Sequence, residues 1–130
     1  MTNSPLDALE IELRELSRLM TDPREGECLL CYVYRMLGEF NCSGLHWATR
    51  YRDLAAPRAT GLERRLARVG GYCDCEILLN GYQYHDRYLD YDEFGDVIEP
   101  DLGPDCLRVR RGSTQGCGLW VRCPHSLRGR

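Results

Sequence analysis

Lysine is absent from the 130-residue chain, and all 17 of its basic side chains are arginine. Because arginine is not deprotonated in proteins, Schiff-base and lysine general-base mechanisms are excluded. No apolar run reaches the roughly eighteen residues that cross a bilayer, so no membrane association is expected. Met1-Thr2-Asn3-Ser4-Pro5 has neither the basic nor the apolar region of a secretory signal, and the expected compartment is the cytoplasm. The sequence also lacks a glycine-rich nucleotide loop, an internal repeat and the βαβ pattern of thioredoxin-like redox proteins. With 43% hydrophobic and 28% charged residues it is too balanced for disorder and should fold as one small domain.

What the chain does have is cysteine, eight of them. In a secreted chain an even count would suggest disulfides, whereas in a reducing compartment it points to metal or redox chemistry. Cys28-x-x-Cys31 and Cys73-x-Cys75 offer four thiols in two close pairs, the donor set of a structural, tetrahedral zinc site. A possible second metal set is Cys106, Cys117, Cys123 and His125. Should there be a single site, its ligands can come from both groups. Cys42 and His46 could replace one member of the first set, although an inert thiol and a non-ligating histidine are the simpler reading.

Apolar spacing and punctuation predict a mainly α fold of four or five short helices with a small C-terminal β-hairpin, stabilised by metal. The first helix runs from about Pro5 to Met20 with Ser4 as its cap, and Leu6, Leu9, Leu13, Leu16 and Met20 form a stripe expected to face the core. Further helices are expected over Glu27–Phe40, with Cys28 and Cys31 in its first turn, and near Leu45–Leu54 and Arg58–Val69. Asp74 is read as the cap of a short helix ending at Asn80-Gly81. Cys106–Arg110 and Cys117–Cys123 read as two strands joined by a polar turn.

Charge divides the second half. Residues 86–105 hold eight acids against one arginine, whereas residues 106–130 hold six arginines and no acid. The expected organisation is therefore a helical cysteine-containing domain over 1–85, an acidic connecting segment over 86–105 and a basic Cys/His-containing tail over 106–130 packed on the same domain.

Several segments, Cys28-Leu-Leu-Cys31-Tyr, Glu39-Phe40-Asn41-Cys42, Trp47-Ala48-Thr49-Arg50, Pro57-Arg58-Ala59-Thr60 and above all Gly70-Gly71-Tyr72-Cys73-Asp74-Cys75-Glu76-Ile77-Leu78-Leu79-Asn80, carry a resemblance. Over about residues 26–82, with a weak extension to Arg110–Gln115, the chain resembles a small bacterial family, domain of unknown function 2695. The resemblance implies that the cysteine motifs form a unit, and it implies no activity or catalytic residues.

Function is accordingly expected to be that of a zinc-stabilised binding or structural module with an unidentified protein partner. The alternatives are a cysteine-dependent redox or metal enzyme, with Glu76 beside Cys75 as the available base, and a nucleic-acid-binding module using the arginines at 58, 64, 65 and 68. A formal charge of −3 disfavours the last of these.

Overall fold

The computed structural model describes residues 5–98 and 105–124, and for Asp90 and Val97 the backbone alone. The capping residue Ser4, the acids Glu99 and Asp101, and His125 lie outside the described residues. The fold is mainly α. Among the described residues, helices α1 (Pro5–Thr21), α2 (Leu29–Glu39), α3 (His46–Ala55), α4 (Leu62–Arg68) and the single turn α5 (Asp74–Glu76), which continues as a wider turn over Ile77–Gly81, precede four short strands. No described helix is long and apolar enough to cross a membrane.

The core forms where the apolar faces of three helices meet. Leu29, Leu30, Tyr32, Val33 and Met36 of α2 pack with Trp47, Ala48 and Tyr51 of α3, with Leu62 and Leu66 of α4, and with Ile77. The tail contributes to the same core through Cys117 and Leu119, both buried. Tyr51 fixes this arrangement from α3, because its hydroxyl lies 2.7 Å from the Glu27 carbonyl and 3.2 Å from that of Ser113 in the tail.

Helix α4 ends on Gly70, whose φ of 84° suits a residue without a Cβ. The Gly70 and Gly71 amides donate to the carbonyls of Ala67 at 3.0 Å and Leu66 at 2.8 Å, a Schellman closure that satisfies the helix end. The reversal brings Gly71 so near Ile77 that a Cβ would stand 2.8 Å from the Ile77 Cγ1. The chain then enters the turn that carries Cys73, Asp74 and Cys75.

Helix α1 departs from expectation. It buries no residue, and Leu9, the least exposed of its five stripe residues, is 50% accessible. Its C-terminal end is fastened to the body. There Tyr32 donates to the Thr21 carbonyl at 2.5 Å, and Arg50 bonds Asp22 at 2.6 Å. The stripe is a true helical periodicity without a core beneath it.

Strand pairing also differs from the sequence reading. Strand β1 (Tyr82–Tyr84) pairs antiparallel with β4 (Trp120–Arg122), with Tyr84 opposite Trp120. A small antiparallel hairpin joins β2 (Asp90–Tyr91) to β3 (Val97–Ile98). The stretch Cys106–Arg110 is not a strand. It bends at Arg108, whose φ is 72°, and the Arg108 amide donates to the Cys106 sulfur at 3.2 Å. A backbone curled round its own thiol cannot run extended beside β4.

Candidate metal centre

Cysteines from three segments meet between the helical body and the tail. Cys28 caps α2, Cys31 lies in its first turn, Cys106 sits at the bend and Cys117 precedes β4. Their four sulfurs lie within 4.8 Å of one another, and Cys28 and Cys117 are buried. The Cys31 and Cys117 sulfurs are 3.8 Å apart. A zinc–sulfur bond of about 2.3 Å gives a tetrahedron with edges of about 3.8 Å. The four thiols are thus clustered in a way that could bind a metal ion.

Hydrogen-bond donors reach three of the four sulfurs. The Cys31 amide donates to the Cys28 sulfur at 3.3 Å, the Cys28 amide to Cys106 at 3.3 Å, and the Trp120 indole to Cys31 at 3.3 Å. Donors aimed at sulfur stabilise its charged form, and the start of α2 adds the positive end of the helix dipole. The hydrogen bond from the Cys31 thiol, helped by the Cys31 and Cys117 amides and opposed by burial, holds Cys28 down at about 5. The same bond to Cys28, together with burial, pushes Cys31 far up, so the pair shares a proton that an incoming cation would displace. Burial raises Cys106, with the Cys28 and Arg108 amides pulling the other way.

Neighbouring polar contacts hold the centre's walls. Glu27, buried beside Cys28, is gripped by Arg35 through Nε at 2.9 Å and Nη2 at 2.8 Å. Trp120 stacks on Tyr84 with ring centres 4.3 Å apart, covering the side where its indole reaches Cys31. Strand β4 therefore serves the cysteine cluster as well as the strand pair.

The structure brings together half of each cysteine set expected from the sequence. Cys73 and Cys75 of the first set stand apart from Cys28 and Cys31. They lie beside Cys42, whose sulfur accepts the Cys75 amide at 3.4 Å. Of the second set, Cys123 is buried at the end of β4, with its amide on the Gly81 carbonyl at 2.9 Å, and is not among the four. His125 lies outside the described residues. His46 is exposed and edges against Trp47 at 4.5 Å.

Asp74 has a different task from the one its position suggests. Its short helix is capped by Cys73, while its own buried carboxylate accepts the amides of Trp47 at 2.9 Å and Ala48 at 3.0 Å. It therefore caps α3, where Leu45 holds the cap position and has no side-chain acceptor. Burial pushes its carboxyl up, and the two amides pull it partly back.

These features define the class: a small, mainly helical, cysteine-rich protein with a four-thiol cluster joining body to tail. Residues 29–80 match the family described as "Protein of unknown function (DUF2695)", so the resemblance read from the motifs holds over that stretch. The chain is also similar to uncharacterized proteins of Mycobacterium tuberculosis and Mycobacterium bovis. Each is 39% identical over 67 residues, covering 48% of this chain and 64% of the relative. The chain thus spans a little under two thirds of the length of these relatives. No solved structure matches it. The family stretch contains Cys31, Cys42, Cys73 and Cys75, whereas Cys28, Cys106 and Cys117 fall outside it.

Proposed function

We propose that the chain is a binding module whose tail is locked onto its helical body by one structural zinc ion held by Cys28, Cys31, Cys106 and Cys117. The observation that carries this reading is the convergence of four sulfurs within 4.8 Å from segments far apart in sequence. Four sulfur ligands fill a tetrahedral ion and leave no position for substrate, which favours a structural over a hydrolytic role. Metal-binding free energy at such a site is folding free energy. Cys117→Ser should therefore lose about one zinc ion per chain and lower the unfolding temperature in the same protein. A variant that keeps the parent's metal content and stability would refute the assignment.

A second reading, that the module binds nucleic-acid phosphates, is favoured by one groove. Arg58, Arg64, Arg65 and Arg68 line a cleft of about 310 Å³ with Thr60 and Thr114. The Arg65 guanidinium donates to the Thr114 hydroxyl, so one wall belongs to the tail segment that leads to Cys117. The acidic stretch would suppress attraction to this face. Neutralising Asp90, Asp92, Glu93 and Asp96 together should create binding to single-stranded DNA that fades steeply between about 50 and 200 mM salt. Adding Arg64→Ala and Arg68→Ala should abolish it. Equal, negligible retention by parent and neutralised chain at low salt would remove this reading.

A further inference from the structure

Helix α1 presents an apolar face that the fold does not use. Leu6, Leu9, Leu13, Leu16 and Met20 recur at alternating spacings of three and four, the seam of a two-stranded coiled coil, and all five are exposed. The side of α1 turned to the body is a different one. Arg14, Ser17, Arg18 and Thr21 line a cleft with Trp47 and Arg50 of α3. At 3.6 residues per turn the stripe is centred roughly 110° round the helix from that polar side. The bonds at Thr21 and Asp22 hold the helix by its end and leave the stripe outward. A helix of this length is marginal in water, and most helical stability comes from burying an apolar face.

We propose that a second copy of this chain covers the stripe, the two α1 helices packing antiparallel about a twofold axis in a reversible dimer. Charge selects the direction. The first half of α1 holds Asp7, Glu10 and Glu12 and no base, whereas the second half holds Arg14 and Arg18 against Glu15. A parallel pair would stack the acidic halves on each other, while an antiparallel pair lays each acidic half along a basic one and opposes the helix dipoles. With Leu13 facing Leu16 of the second copy, Leu9 faces Met20, and the acids flanking the seam, Glu10 and Glu12, meet Ser17 and Leu19 rather than each other. Each stripe side chain offers roughly 100 Å² of apolar surface. With Leu19 at the margin, two copies hide about 1,200 Å², the lower bound of specific interfaces, so the dimer dissociates on dilution. A lipid surface fits less well, because four acids against two arginines give α1 the wrong charge for anionic headgroups.

The test is sedimentation velocity on the full chain under reducing conditions, from about 1 to about 100 µM. The parent should pass from one chain to two across that range. Leu13→Glu, which sets a carboxylate of each copy in the seam, should stay a monomer throughout. Ile11→Glu, exposed on the opposite side of the same helix, should dimerise as the parent does. At dilutions where both are monomeric, parent and Leu13→Glu should unfold at the same temperature, which separates loss of the dimer from loss of the fold. Metal content should be equal in all three proteins, since neither change touches a cysteine, so the dimer and the metal centre can fail separately. A parent that is monomeric at about 100 µM would overturn the proposal. So would a dimer that both variants retain or both lose. A monomeric parent that pellets with phosphatidylglycerol vesicles, and no longer does so as Leu13→Glu, would assign the stripe to a membrane instead.

Discussion

A single carboxylate shows how much the Cys73-Asp74-Cys75 turn depends on its middle residue. Asp74 occupies both amides at the start of α3 and is fully buried, so its loss strands two N–H groups away from water. Asp74→Ala should cost about 2 to 3 kcal/mol, the combined scale of a lost cap and unsatisfied buried donors. Asp74→Asn should cost less, since one acceptor survives while the other is replaced by a donor facing an N–H. Chemical denaturation would check both, and a loss under about 0.5 kcal/mol for the alanine variant would contradict the capping role. At this scale the sequence was half informative. Aspartate beside a helix start is a capping signal, but the local pattern points to the nearest helix, and only the fold shows that the cap serves another.

Among elements, those whose signal was local were legible and those that depended on a distant partner were not. The apolar spacing and the Gly70-Gly71 stop located α2, α3 and α4 within a few residues. The expected strand at Cys106–Arg110 failed because the sulfur of Cys106 accepts the Arg108 amide and bends the chain, an effect of tertiary placement that alternating residues do not reveal. Its intended mate, β4, pairs with Tyr82–Tyr84 instead, where Trp120 stacks on Tyr84 and reaches Cys31. Helix α1 gave a correct period and a wrong burial, since periodicity reports an amphipathic helix and not what covers it. Leu13 is 55% exposed, so Leu13→Glu should change stability by no more than about 0.5 kcal/mol. A loss of about 2 kcal/mol or more in thermal or denaturant unfolding would place that stripe against a core.

At the scale of the whole molecule, the cysteines organise the tail. Cys28 and Cys31 start a core helix, and Cys106 and Cys117 bring in a segment that adds Leu119 to the core and Trp120 to the strand pair. Gly116 makes this approach feasible, because a Cβ there would stand 2.5 Å from the Leu30 Cδ1. The sequence supplied all four members of the cluster but divided them between two sets. Short spacing such as Cys73-x-Cys75 suggests a shared ligand as strongly as Cys28-x-x-Cys31 does, and which thiols meet depends on chain reversals such as those at Gly70 and Arg108. Zinc-edge X-ray absorption on the full-length protein purified under reducing conditions tests the account most directly. The account predicts four sulfur scatterers at about 2.3 Å and no nitrogen or oxygen in the coordination shell. A chain without stoichiometric metal, or an ion bound partly through nitrogen or oxygen, would contradict it.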